Sequence, residues 1–173
     1  AARSFGMPMG PIELADTVGL DVCLHVADIL ATPLRVQVPA RLRELVQRGQ
    51  LGRKSGEGFY TYVHGRRAGG RPPRGYSPPG DLADRLILRM LNEAVASLRS
   101  GTVENADLLD AGMIYGIGFA PFRGGPMQYI RDIGSARLHS RLQDLERRYG
   151  ARFAPDPGWT AAPETITQAA HSA

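Results

Sequence analysis

An internal repeat without gaps is the feature of this sequence that most constrains its fold. Residues 10–19 read GPIELADTVG and residues 125–134 read GPMQYIRDIG, so each copy begins with Gly-Pro and ends with an apolar residue before Gly. Proline suits the first turn of a helix, because the N–H that it lacks would have no partner there, and glycine suits the residue just past the last turn. Each copy is therefore predicted to be a short helix within a duplicated helical unit.

Capping residues and apolar periodicity predict further helices around both copies. Asp21 and Ser135 are expected to cap the helix that follows each copy. Helices are also predicted over residues 40–48, over residues 81–100, and over residues 106–114 with Asn105 as the cap. The longest of these carries a predicted apolar stripe of Leu82, Leu86, Met90, Ala94 and Leu98, which Ile87, Leu91 and Val95 widen enough to bury much of the helix.

The predicted fold class is all-α, with two tandem helical repeats of which the first lacks its leading helix. The second Gly-Pro copy follows a long and a short helix, whereas the first copy is preceded by only the end of such a pair. We divide the chain into a truncated first repeat at 1–62, an Arg/Gly/Pro connector at 63–80, a complete second repeat at 81–158 and a tail at 159–173. Residues 59–62 are the one alternating, strand-like pattern.

Composition narrows the class of protein. The chain has 173 residues, a formal net charge of +4 and a single cysteine, Cys23, so it cannot form an internal disulfide. It contains no apolar run long enough to cross a bilayer, and we expect no membrane partner. Four arginines of the connector resemble the composition of RNA-binding tails, but they lack repeated Arg-Gly-Gly units, so we expect no nucleic-acid partner. They are Arg66, Arg67, Arg71 and Arg74.

Two motifs resemble a known family. Residues 5–11 (FGMPMGP) are followed by Asp16-x-x-Gly19-Leu20-Asp21, and residues 52–60 read GRKSGEGFY. The order and spacing of these motifs are similar to the C-terminal helical domain of the 3-hydroxyacyl-CoA dehydrogenases. The second copy, with NEA at 92–94 and a Gly- and Pro-rich segment at 116–125, resembles the duplicated repeat of multifunctional fatty acid β-oxidation enzymes of the fatty oxidation complex α-subunit type.

This resemblance implies what the chain contributes and what it lacks. Complete members bind NAD on a Gly-rich Rossmann domain and use a His–Glu pair there, and this sequence has neither the G-x-G-x-x-G fingerprint nor that pair. The chain is therefore expected to shape the acyl-CoA cleft and a subunit contact of an NAD-dependent oxidoreductase, with no catalytic, cofactor-binding or metal-binding residue of its own. By itself it is expected to be inactive. The implied partners are the acyl-CoA substrate, the missing Rossmann domain and a second copy in a homodimer, and the implied location is the cytoplasm.

The candidate substrate-binding residues are those of the first turn. In the family this turn lies close to the acyl-CoA cleft, and an apolar run with permissive glycines can line a channel for an acyl chain. The alternative is a tight turn between helices that serves packing alone. The six candidates are Phe5, Gly6, Met7, Pro8, Gly10 and Pro11.

Other interpretations of the chain stay open. Lys54 lies among the glycines of residues 52–60, where a phosphate could bind, although anchoring of this segment by Phe59 and Tyr60 is favoured. For the whole chain, the alternatives are a stand-alone helical dimerisation module and, with less support, an RNA-binding protein that uses the Arg/Gly connector.

Overall fold

The computed structural model describes residues 1–34, 36–69 and 74–160, and within them it is mainly helical. The predicted all-α class is confirmed, and none of the helices in these ranges is long and apolar enough to cross a membrane. The expectations about Arg71 and about the tail beyond Thr160 lie outside the described residues. The helices are α1 (Ala2–Phe5), α2 (Pro11–Val18), α3 (Leu20–Ala31), α4 (Ala40–Gln47), α5 (Leu82–Arg99), α6 (Ala106–Ile117), α7 (Pro126–Ile133) and α8 (Ser135–Tyr149).

The two Gly-Pro helices have matching local geometry. Helices α2 and α7 each contain eight residues, with glycine at the N-cap and proline in the first turn. Each ends at a glycine with nearly the same backbone angles, φ 110° and ψ 128° at Gly19 and φ 98° and ψ 120° at Gly134. Side chains rarely tolerate such a positive φ, so glycine is required at both ends. The repeat seen in the sequence is thus present in the local structure.

The same two glycines correct the predicted helix caps. Gly19 and Gly134 are also the N-cap residues of α3 and α8, and neither helix has a side-chain cap. Asp21 and Ser135 lie inside the first turns of those helices, so their predicted capping role is wrong. Each glycine is the C-cap of one helix and the N-cap of the next, so no other residue lies between the two helices to act as a cap. The prediction for Asn105 is confirmed, because its side chain accepts a hydrogen bond from the N–H of Leu108 at 2.9 Å.

The chain forms two compact units whose division differs from the predicted segments. Among the described residues, the larger unit comprises Ala1–Pro8 together with residues 78–160, and the smaller unit comprises those between Met9 and Ser77. Residues 1–8 group with the larger unit because Phe5 of α1 is buried in its core and α1 packs on α5. The predicted packing of the two repeats against each other stays a prediction.

The core of the larger unit lies around α5, which packs against α7 and α8. The most buried apolar residues of α5 are Ile87, Leu88, Leu91, Ala94 and Val95. All of these except Leu88 belong to the predicted widened stripe, whereas Leu82, Leu86, Met90 and Leu98 of that stripe are only half-buried. Helix α5 also contacts α1 and the turn Pro157–Trp159.

The smaller unit has a small core of its own. Leu20 of α3 and Leu42 and Leu45 of α4 are buried together, with Cys23 and Phe59 half-buried against them. Much of the apolar surface of α2 and α3 lies outside this core. Exposed side chains on these two helices are Ile12, Leu14, Val18, Val22, Val26, Ile29 and Leu30.

The first part of the predicted connector is folded. Strand β1 (Tyr62–Val63) pairs antiparallel with β2 (Arg66–Arg67). The turn between them places His64 at φ 48° and Gly65 at φ 73°, the pair of positive angles that favours a two-residue hairpin. The segment predicted as an Arg/Gly/Pro connector therefore begins within a hairpin, and only Tyr62 of the predicted strand pattern lies in a strand.

Candidate functional site

The first four candidate residues form a turn that is anchored in the larger unit. The Phe5 side chain is only 8% exposed, and its ring meets those of Phe119 and Tyr129 edge to face at 5.4 and 5.3 Å. Gly6 ends α1 in a left-handed conformation at φ 112°. Met7 packs at the edge of the same core and Pro8 is exposed. Phe5 is thus an anchor, and Met7 and Pro8 hold the more accessible part of the turn.

An arginine that the sequence analysis did not select holds this turn. The Arg123 guanidinium lies 4.3 Å from the centroid of the Phe5 ring, and its Nε donates a 2.9 Å hydrogen bond to the Phe5 carbonyl oxygen. The same guanidinium faces the rings of Phe122 and Tyr129 at 5.1 and 5.3 Å. Because a cation over aromatic faces is attracted to each ring, Arg123 fixes both the backbone and the aromatic side chain at the end of α1.

The corresponding turns of the two repeats contact each other within the larger unit. A Cβ atom on Gly6 would lie 2.5 Å from Cε1 of Phe122, and a Cβ on Gly118 would lie 2.8 Å from Cγ of Pro8. Gly6 and Gly118 are the left-handed residues that end α1 and α6. Each turn therefore needs its glycine so that the other turn can approach closely.

The remaining two candidates belong to the smaller unit. Gly10 is the N-cap of α2 and Pro11 is its first residue, exposed to solvent. A Cβ on Gly10 would meet nothing within 4 Å. The structure thus brings Phe5, Gly6, Met7 and Pro8 together in one turn and places Gly10 and Pro11 at the start of a helix in the other unit.

The chemistry available at this turn is binding, not proton transfer. It presents apolar side chains and one guanidinium, and a guanidinium stays protonated at physiological pH, so it cannot act as a general base. Such a surface can contact an apolar chain or an anion. It supplies no group that would take a proton from a hydroxyl.

The other family-like motif, residues 52–60, is organised by a buried carboxylate. Asp16 has no exposed surface. Its Oδ1 accepts the N–H of Phe59 at 2.9 Å, and its Oδ2 accepts the N–H of Tyr60 at 2.9 Å and the hydroxyl of Tyr62 at 3.1 Å. Burial and the nearby Asp16 carboxylate raise the pKa of Tyr62 to about 12. The carboxylate therefore connects α2 to the segment that leads into the hairpin.

The glycines of this motif serve close packing around Asp16. A Cβ on Gly52 would overlap the backbone of Asp16, and a Cβ on Gly58 would overlap its Oδ1. Lys54 forms an ion pair with Asp21, with Nζ at 2.5 and 2.7 Å from the two carboxylate oxygens, and this hydrogen bond holds the pKa of Asp21 below its ordinary value. The motif is thus a packed segment whose lysine already has an anionic partner, which favours the anchoring interpretation over a phosphate site.

The described residues do not fit a dinucleotide site. Such sites lie at the carboxyl ends of parallel strands, where a Gly-rich turn opens a helix. Within the described ranges the only sheet is the two-stranded antiparallel hairpin of β1 and β2. The same residues contain no group of three His, Cys, Asp or Glu side chains arranged to hold a metal ion.

Sequence reasoning missed three residues that organise these segments: Asp16 as a buried acceptor, Arg123 and Asp110. Asp110 is 6% exposed and accepts the N–H groups of Met127 and Gln128 at the start of α7, at 2.7 and 3.0 Å. Desolvation raises its pKa. The sequence feature that could have identified Asp110 is an acidic residue within an otherwise apolar stretch of α6. A carboxylate on a buried helix face must accept hydrogen bonds from donors elsewhere in the protein.

Comparison with known proteins shows which family these features resemble. Residues 1–62 match the sequence model of the 3-hydroxyacyl-CoA dehydrogenase C-terminal domain. A solved structure, 3-hydroxybutyryl-CoA dehydrogenase from Escherichia coli K12, superposes with a TM-score of 0.69 over 90% of this chain and 51% of that chain. Its sequence is 21% identical, so this match shows the fold alone.

Curated relatives are more similar in sequence. The fatty acid oxidation complex subunit alpha of Shewanella amazonensis is 38% identical over 168 residues, which cover 90% of this chain and 24% of the relative. The subunit alpha of Vibrio vulnificus is likewise 38% identical over 168 residues, covering 91% and 24%. The resemblance predicted from the motifs is therefore confirmed, and the chain spans about a quarter of the length of these relatives.

Proposed function

We propose that this chain is the helical portion of an NAD-dependent 3-hydroxyacyl-CoA dehydrogenase of fatty acid β-oxidation, of the multifunctional α-subunit type. The observation that carries the proposal is the match of residues 1–62 to the family's C-terminal domain, together with similarity to subunit alpha across about nine-tenths of the chain. The chain shapes part of the acyl-CoA cleft and is inactive by itself. It acts in the cytoplasm, where the whole enzyme meets its CoA thioester.

The proposed substrate contacts are the turn of residues 5–8 in the larger unit and, considered separately, the first turn of α2 in the smaller unit. The apolar, partly accessible side chains of Met7 and Pro8 support this, since an acyl chain is bound by apolar surface. Arg123 and the buried Phe5 ring hold the turn in place, which reduces the entropy lost when a ligand binds. Gly10 and Pro11 present backbone and ring surface at the first turn of α2.

NAD and the proton-transfer groups belong to a Rossmann domain outside this chain. The exposed face of α2 and α3 is the surface proposed to contact that domain. A comparison of equivalent positions in the two repeats supports the proposal that this face of α2 and α3 lacks a partner that its counterpart on α7 and α8 has. Met127 of α7 and Leu145 of α8 are 0% and 3% exposed, whereas the residues at the equivalent positions, Ile12 and Leu30, are 41% and 44% exposed. Apolar patches of this kind rarely stay uncovered.

The same exposed face favours a second candidate, a homodimer contact. A face rich in Val, Ile and Leu can pack on its own copy as well as on another domain. Light scattering on the isolated chain distinguishes the two. A monomer at high concentration would oppose self-association and leave the Rossmann domain as the partner.

The substrate contact is tested in a chimera in which this chain replaces the matching quarter of the Shewanella amazonensis subunit alpha. Met7→Ala and Pro8→Gly are expected to raise KM for a 3-hydroxyacyl-CoA about tenfold with a smaller change in kcat, because they remove binding surface and no reacting group. Met113→Ala is the matched control, since Met113 packs at the edge of the same core on α6. Unchanged KM in both turn variants would refute the contact and leave packing as the role of the turn.

A further inference from the structure

A small cavity that is partly open to solvent lies in the larger unit, next to the ring of Phe5. Its volume is about 90 Å³. The apolar part of its wall is drawn from α1, α5, α7 and α8. These residues are Phe5, Ala83, Ile87, Leu88, Tyr129 and Leu138.

One ion pair supplies the charged groups that line the cavity. Arg141 of α8 donates from Nε and Nη2 to the two carboxylate oxygens of Asp84, the Nε bond being 3.1 Å long. The two side chains are 39% and 30% exposed, so the pair lies at the solvent side of the cavity. Since each charge is paired with the other, the pair brings no net charge to a ligand and does not select an anion.

The inner wall is poorly suited to water. Ile87, Leu88 and Leu138 are 6%, 2% and 0% exposed and offer no hydrogen bond. Water in a cavity needs several polar partners, whereas apolar cavities stay dry and bind apolar molecules, with about 150 Å³ sufficient for benzene. At the same ratio of about 25 Å³ per carbon, a cavity of 90 Å³ has room for about three to four carbons of an aliphatic chain.

We propose that this cavity binds an aliphatic chain of about four carbons, with the polar end of the ligand near the Asp84–Arg141 pair. Such a chain is available from the acyl end of a CoA thioester or from a free short-chain fatty acid. The thioester source rests on the proposed function. Binding of an aliphatic ligand does not rest on that proposed function, because the cavity is formed by residues of this protein chain alone.

The test is a titration of the chain, labelled with ¹³C at Ile and Leu methyl groups, with n-butanol followed by NMR. Saturable shifts of the Ile87, Leu88 and Leu138 methyls with a millimolar dissociation constant are expected. Ala83→Leu, which places a larger side chain at the cavity wall, is expected to weaken binding about tenfold. Ala96→Leu on the same helix is the matched control, since Ala96 does not line the cavity and should leave binding unchanged.

Further titrations separate the two sources. Butyryl-CoA that shifts these methyls while CoA alone does not supports the thioester, and butyrate that binds as well as butanol supports the free acid. Shifts that rise linearly without saturation, or equal binding by the parent and Ala83→Leu, would overturn the proposal. Dehydrogenase activity of the chimera is measured separately. Absence of ligand binding in the NMR titration therefore refutes the cavity proposal, and an inactive chimera refutes the proposed function.

Discussion

Replacing Asp16 by Asn should destabilise the smaller unit strongly, although the two side chains have almost the same shape. The carboxylate accepts hydrogen bonds from three donors, at Phe59, Tyr60 and Tyr62, and has no exposed surface. An amide has one acceptor oxygen and one donor nitrogen. Its NH₂ must therefore face at least one backbone N–H, which leaves that donor unsatisfied.

The expected cost follows from these contacts. One buried, unsatisfied donor costs about 2 kcal/mol, and loss of charge assistance in the remaining bonds adds about 1 kcal/mol, for a total of about 3 kcal/mol. Urea unfolding followed by far-UV circular dichroism measures it, and the midpoint should fall by about 1.5 M. Trp159, the single tryptophan, lies in the larger unit, so its fluorescence should report a smaller change.

The matched control is Asp132→Asn, the same substitution on α7. Asp132 is exposed and accepts one hydrogen bond, from Gln128 Nε2 at 2.7 Å, so its loss should cost less than about 0.5 kcal/mol. If Asp16→Asn unfolds at the same urea concentration as this control, Asp16 does not organise residues 52–62 and the account of that motif is refuted.

Three further outcomes are expected from other buried contacts. Gly58→Ala should destabilise by more than about 2 kcal/mol in the same urea assay because its Cβ overlaps Asp16, whereas Gly112→Ala, which meets nothing within 4 Å, should be neutral or slightly stabilising. Asn92→Ala should shift Trp159 fluorescence to the red and cost about 3 kcal/mol, because the N–H of Asp156 and the indole N–H both lose their acceptor; an unshifted spectrum would contradict this. Hydrogen bonds from Arg99 hold the pKa of Asp156 below its ordinary value, so the stability it contributes is present above pH of about 4 and is lost as the pH falls through the folded pKa. Asp156→Asn should therefore be less stable than the parent at neutral pH and converge with it in acid, and a constant difference at every pH would argue against that ion pair.

Local features of the fold were predictable from the sequence, and contacts between distant segments were not. Proline and glycine at the ends of α2 and α7, and the cap at Asn105, depend on neighbouring residues, so local chemistry sufficed. The bond from Arg123 to Phe5 and the bonds from Asp16 to residues 59–62 join segments far apart in the chain, and no periodic pattern encodes them. The hairpin was missed because His64 takes a positive φ that a non-glycine residue seldom adopts.

The same limit applies to the candidate site. The motif at residues 5–11 identified a turn that the structure anchors through Phe5 and Arg123. It did not show that Phe5 and Pro8 fall in one compact unit and Pro11 in the other, because that division depends on which core buries Phe5.

The most direct test of the proposed function is hydride transfer from a 3-hydroxyacyl-CoA to NAD, followed by NADH absorbance in three samples. The samples are the chain alone, the Shewanella amazonensis subunit alpha without its matching quarter, and the chimera that joins the two. Activity is expected in the chimera, and none above background is expected in either part alone. Turnover by the chain alone, or a well-folded chimera with no activity, would contradict the assignment of this chain as the helical portion of a 3-hydroxyacyl-CoA dehydrogenase.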